Sequence, residues 1–225
     1  RERGAQGNEK YVALTFDEGP SGATKQILQV LKEKGVTATF FLSGDAAEAS
    51  PATAKAIVDA GCEVGSNSYR DESLKGQDRD AVREQISKGT EAIKSATGVK
   101  TMLLRAPYAA FDEQNWIDAM DLASAVVSWN IDSGDWLLNG ADEQVSTVLD
   151  SVTPGNIVLL TDSDECAEQT LVALPQIIDG LIADGYKIVT LSDLVKTDAS
   201  LSKKLNSLAK VTMPKNRRVP PARRR

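Results

Sequence analysis

YVALTFDEGP (residues 11–20) starts as an apolar run and ends in two adjacent acids, a glycine and a proline. The run reads as a buried strand. Its tip raises a chemical question, because neighbouring carboxylates such as Asp17 and Glu18 repel unless a cation, a shared proton or a reacting group lies between them. Six further strand-like runs follow: ATFFLSG (38–44), CEVGSNS (62–68), TMLLRAP (101–107), AVVSWNID (125–132), NIVLLTD (156–162) and KIVTLSDL (187–194).

Helix-like stretches separate these runs. GATKQILQVLKEKG places Ile27, Leu28 and Leu31 on one face and stops at Gly35. Ser50 and Pro51 supply a cap and a first-turn proline. DRDAVREQISKGTEAIKSATG aligns Val82, Ile86 and Ile93, and further helices read at FDEQNWIDAMDLA, ADEQVSTVLDSV and AEQTLVALPQIIDGLIADG. Pro175 inside the last predicts a kink or break there.

Seven strands alternating with helices imply a parallel sheet with right-handed crossovers. An open doubly wound sheet is the alternative. The polar strand tips, and the lack of a glycine-rich phosphate turn after the first strand, favour a distorted seven-stranded (β/α) barrel. Residues 1–10 read as a linker, 11–196 as the domain, and 197–225 as a C-terminal helix (Leu201, Leu205, Leu208) with a basic tail.

Of the 26 basic residues nine lie beyond Ala199, where there is no acid, so the preceding body holds 17 basic and all 32 acidic residues. Such a body argues against nucleic acid as the ligand of the fold. The tail is suited to an anionic polymer, a membrane surface or the body itself. No run reaches the roughly 18 apolar residues of a membrane span, and the polar start fits a linker downstream of a removed signal or membrane anchor. Cys62 and Cys166 fall too far apart along the strand direction, about 16 Å for a five-residue offset, to be bridged.

Barrel sites lie at the C-terminal ends of the strands. There the sequence places Asp17 and Glu18; Asn67, Ser68 and Asp71; Arg105 and Tyr108; Asp132, Asp135 and Trp136; and Thr161 and Asp162. In TFDEGP, GCEVGSNSYRDESL, LLRAPY, WNIDSGDW and IVLLTD, in that order, the chain resembles the polysaccharide deacetylases with a NodB-homology domain, carbohydrate esterase family 4. The resemblance implies removal of acetyl groups from glycans by a metal-activated water. It implies Asp17 at the catalytic-base position, and Glu18, Asn67 and Asp71 at the three metal positions. Arg105 matches the arginine that orients the base, and Tyr108 the residue whose backbone N–H holds the oxyanion. Asp132 falls where an aspartate tunes the catalytic histidine, and Thr161 where that histidine should be. Trp136 and Leu159 match the apolar lining of the acetyl pocket.

The chain has no histidine at all. An all-oxygen set suits Mg²⁺, Mn²⁺ or Ca²⁺ and not zinc, and losing a general acid lowers rates by about 10²–10⁴. The sequence therefore predicts a catalytically degenerate deacetylase-like domain, a pseudoenzyme with a retained glycan groove at the cell surface. The alternatives are an active hydrolase with an all-oxygen metal site, and a scaffold that makes contact through its basic tail. Asp17 and Arg105 can also form a salt bridge with no catalytic role. Trp129 is placed near the mouth, as suited to the core as to a ligand.

Overall fold

A computed structural model of the chain describes residues 9–197. The helix expected around Leu201, Leu205 and Leu208 and the basic tail lie outside these residues.

The central strand β1 (Lys10–Asp17) is the run quoted above. In chain order there follow α1 (Thr24–Lys34), β2 (Thr39–Leu42), α2 (Gly44–Ala49), α3 (Pro51–Asp59), β3 (Glu63–Ser66), α4 (Arg79–Thr97), β4 (Leu103–Leu104), α5 (Glu113–Ala119), β5 (Ala125–Val126), β6 (Ile131–Asp132), α6 (Ala141–Leu149), β7 (Asn156–Thr161), α7 (Ala167–Ala183), β8 (Tyr186–Ile188) and α8 (Leu191–Thr197). All pairings are parallel, in the order β5-β4-β3-β2-β1-β7-β6, with β8 beside β1. The edge of β1 that faces β2 is used twice. Lys10–Val12 pair with β8, and Thr15–Asp17 pair with β2.

The run 125–132, read from the sequence as one strand, contributes β5 at one end of this order and β6 at the other. Between them Val127 N–H donates to the Leu104 carbonyl (2.7 Å) and Asn130 N–H to that of Ile157 (2.9 Å). One bent segment thus joins both ends of the sheet, and the expected seven-stranded distorted barrel results.

Strand residues alternate between two cores, as the period of two requires. Val12, Leu14 and Phe16 point outward and meet Phe40, Leu42 and the apolar stripes of α1 and α7. Phe41, Ala125 and Val127 point inward and cluster with Leu191. Inside the barrel Gly65 is needed for space, because a β-carbon there would lie 2.6 Å from the Phe41 ring.

Three further readings of the sequence need correction. The second half of KIVTLSDL is α8 and not strand. Its start plugs the barrel where the strands begin, with Leu191 N–H on Thr39 Oγ1 (2.9 Å) and Ser192 N–H on Glu63 Oε1 (3.0 Å). Helix α7 runs through Pro175 without a break, pinned by the fully buried Leu174, Ile177 and Ile178. Ser50 precedes the α3 proline as expected, but its side chain makes no cap hydrogen bond. Gly35 does end α1 in a left-handed turn, and Asp78 caps α4 by accepting from Ala81 N–H (2.8 Å). Both cysteines are buried free thiols.

Candidate functional site at the barrel mouth

Arg105 occupies the middle of the barrel and is fully buried. It directly follows β4, and the inward parity of that strand sends its side chain across the interior. Its Nη1 donates to Asp17 Oδ1 (2.9 Å) and Thr15 Oγ1 (2.7 Å), its Nη2 to the Ser128 carbonyl (2.9 Å), and its Nε to the Val127 carbonyl (3.3 Å). The guanidinium lies 4.2 Å from the Phe41 ring centre and 5.5 Å from that of Trp129. A planar fork of five donors suits this task, which an ammonium could not perform. Part of the answer to the Asp17–Glu18 question is therefore a buried cation: Asp17 is paired with Arg105.

The backbone around the mouth is unusual. Among the described residues five that are not glycine have positive φ: Glu18 (77°), Ser68 (69°), Tyr108 (61°), Ala109 (55°) and Leu138 (56°). All five lie in loops at the C-terminal ends of strands. Each such conformation costs on the order of 1–3 kcal/mol, and such residues gather at ligand and active sites. The loop after β1 is tied to the one after β7. Asp162 accepts from Ser21 Oγ (2.7 Å) and Thr24 Oγ1 (2.6 Å), and Asp164 from Gly22 N–H (2.8 Å). Gly19 is required there, since a β-carbon would collide with the Asp162 carboxylate.

Thr161 faces the barrel one strand away from Asp17, its register partner. Its N–H (2.6 Å) and hydroxyl (3.0 Å) both donate to the carboxylate of Asp135, which is fully buried and also receives Thr170 Oγ1 (3.4 Å). Burial pushes the Asp135 carboxyl up to about 6, against the opposing pull of the Thr161 bonds. Burial likewise raises Asp162, and it raises the Cys166 thiol to about 11 with help from the charges of Asp135, Glu18 and Glu165.

Asp135 is thus bonded to Thr161, while Asp132 accepts from the Trp136 indole N–H (3.1–3.2 Å) and from Gly134 N–H (3.0 Å). Leu159 is buried and faces inward with Thr161, and Trp136 is half-buried in the loop after β6. Trp129 is buried inside the barrel against Arg105.

At the metal positions, Asn67 is buried and its amide donates to the Arg105 carbonyl (2.8 Å). Asp71 is exposed and accepts from the Tyr108 hydroxyl (2.9 Å). With Glu18 these side chains offer oxygen ligands only, whereas zinc sites draw mainly on histidine nitrogen and cysteine sulfur. Among the described residues no three histidine, cysteine, aspartate or glutamate side chains gather as a metal-binding group.

Comparison with known proteins agrees with this geometry. The family profile described as "Polysaccharide deacetylase" matches residues 4–127. The chain is 38% identical over 189 residues to a bifunctional xylanase/deacetylase of Pseudobutyrivibrio xylanivorans, covering 83% of this chain and 31% of that protein. It is 33% identical over 186 residues to a peptidoglycan-N-acetylglucosamine deacetylase of Listeria monocytogenes, covering 82% of this chain and 39% of that one. The chain thus spans only about a third of the length of these two relatives. A CE4 family pseudoenzyme from Bacillus anthracis superposes with a TM-score of 0.77 at 32% identity, over 85% of this chain and 66% of that one.

Proposed function

The chain belongs to the polysaccharide deacetylase family, and from that premise we propose that its barrel mouth is a glycan-binding groove without the catalysis of the family. One observation carries this reading. The side chains at one metal position and at the catalytic-histidine position are engaged in the barrel's own hydrogen bonds, Asn67 to the Arg105 carbonyl and Thr161 to Asp135. A threonine hydroxyl is too weak an acid to protonate a leaving amine, and Asn67 is neutral. Neither the general acid nor a nitrogen-rich metal cage is available from these residues. The left-handed loop residues support a mouth still shaped for a ligand, with Tyr108 and Trp136 as sugar-facing aromatics. The relatives that are peptidoglycan deacetylases by name support an extracellular or cell-surface setting. The basic segment beyond Ala199 adds a contact to an anionic polymer or membrane surface, and deletion of residues 212–225 tests it by the loss of that contact.

A second reading is an active hydrolase with a hard cation on Glu18, Asn67 and Asp71. The Asp17–Arg105 pair, held as a positioned base would be, favours it. One experiment separates the two. The chelator-stripped protein is titrated by calorimetry with Zn²⁺, Mn²⁺, Mg²⁺ and Ca²⁺, and acetate release from acetylated glycans is followed in parallel. The groove reading expects no binding tighter than millimolar and no dose-dependent acetate. Micromolar binding that disappears in Asp71→Ala, with acetate release lost in Asp17→Asn, establishes the hydrolase.

A further inference from the structure

Asn139 and Gly140 close the loop after β6, and Asn139 is the one asparagine of the chain that a glycine follows. Such a pair is chemically labile. The backbone nitrogen of the second residue can attack the side-chain carbonyl carbon of the first, and glycine has no β-carbon to hinder the approach. Asn139 is exposed, and no hydrogen bond holds its side chain among the described residues. Gly140 has φ 105° and ψ 155°, a region open essentially to glycine alone, so the fold itself requires this residue after Asn139. A β-carbon there would meet nothing within 4 Å, so the space beside the amide is open. One contact opposes the attack: Gly140 N–H donates to Gln169 Oε1 (2.9 Å). A backbone N–H can only donate, which fixes the orientation of the Gln169 amide. Its Nε2 then donates to Gln144 Oε1 (3.0 Å), and Gln144, buried on α6, is left with an Nε2 that has no acceptor among the described residues. An orphaned buried donor is costly, so the polarity of this relay is imposed from Gly140.

From this geometry we propose that Asn139 is a site of deamidation without an enzyme, and that Gln169 sets its rate in the folded chain. The Gly140 nitrogen forms a bond to Asn139 Cγ and the Cγ–Nδ2 bond breaks. The Gly140 proton and the Nδ2 amino group leave together as ammonia. Water then opens the succinimide ring at either carbonyl, to aspartate or to isoaspartate, and nothing is oxidised or reduced. The product gains a carboxylate beside Leu137 and Leu138, the exposed apolar residues that follow Trp136 at the mouth. The isoaspartyl form also gains a backbone carbon ahead of α6. The inference goes beyond the glycan reading and does not rest on it: the lip of the opening carries a one-way charge change, whatever ligand enters.

The full chain is kept in mildly alkaline buffer and sampled over weeks. The peptide that carries Asn139 is followed by mass spectrometry for replacement of the amino group by hydroxyl, and for isoaspartate. Asn139 should convert, while Asn130, exposed but followed by isoleucine and bonded through its side chain to Ile157 N–H (2.7 Å), should not. Gln169→Leu should speed the conversion about fivefold, the rate equivalent of one ordinary hydrogen bond. Gln169→Glu keeps an acceptor for the Gly140 N–H and should stay at the parent rate. Gln176→Leu, the same change on the exposed face of α7, should stay there too. The urea-unfolded chain gives a second reading if Gln169→Leu does not fold, since Asn139 should convert there at least about fivefold faster than in the folded protein. No conversion of Asn139 in either the folded parent or Gln169→Leu overturns the site. A single rate in the parent, Gln169→Leu and the unfolded chain overturns the assignment to Gln169. So does acceleration in Gln169→Glu or Gln176→Leu as large as in Gln169→Leu.

Discussion

Arg105→Met tests the central claim that one guanidinium holds both the candidate site and the closure of the barrel. Methionine is apolar and fills much of the same space, so the main loss is polar. The substitution removes the buried partner of Asp17, whose own side chain is 14% exposed. Breaking a buried ion pair from one side costs about 3–5 kcal/mol, and partial exposure favours the lower end. The Val127 and Ser128 carbonyls lose their donor as well, at about 1 kcal/mol each. The expected loss is therefore about 5 kcal/mol, comparable with the whole stability of a marginal domain, about 5–15 kcal/mol. With a urea slope of about 2 kcal/mol/M, the unfolding midpoint should fall by about 2.5 M. Arg105→Lys keeps the charge but loses the fork, and should fall about half as far, which keeps the test readable if the methionine variant does not fold. A loss below about 1 kcal/mol in Arg105→Met would refute the assignment of barrel closure to this residue.

The pH dependence of stability should carry the signature of Asp135. Its carboxyl is raised from 3.8 to about 6 in the folded state. The folded protein therefore holds the proton more tightly than the unfolded chain. The resulting stabilisation is complete below about pH 4 and is lost as the pH rises through 6, a change of about 3 kcal/mol. Asp135→Asn should flatten this fall in urea titrations between pH 4 and 7, and an unchanged slope counts against the burial argument. Gly65→Ala should cost about 1–3 kcal/mol in the same assay through overpacking against Phe41, and a neutral result would mean that the ring has room to move. The combination Glu18→Asp, Asn67→His, Asp71→His should bring micromolar zinc binding in calorimetry, because the strained loop backbone that would present the ligands is in place. No gain in affinity would locate the degeneracy in the backbone as well as the side chains.

The barrel and most of the mouth were legible because burial period and strand tips are local properties of the chain. The period of two in YVALTFD, the Gly35 stop and the Val82, Ile86 and Ile93 stripe of α4 all read correctly. The failures have tertiary causes. The run 125–132 is uniformly strand-like, and only the need to meet both β4 and β7 splits it. GDAAEA forms α2 without an apolar stripe of its own, and Gly44 is tightly apposed to Tyr69 and Gly89. In KIVTLSDL the strand propensity is overridden where Thr39 and Glu63 accept the first amides of α8. That Asp135 comes to lie against Thr161 depends on a bend that spacing does not encode. The left-handed conformations of Glu18 and Tyr108 were equally hidden, since glycine is the residue that announces such positions.

The placement of residues 9 and 197, the ends of the described segment, bears on how this barrel is carried. Lys10 opens β1 at the end of the barrel where the strands start, and α8 begins at that same end, sealing it through Leu191. Helix α8 is only about 10 Å long. Any polypeptide that precedes residue 9 or continues past residue 197 is therefore attached at or within one short helix of the end remote from the mouth. Tethered by either side, the domain has its opening at the end opposite its points of attachment.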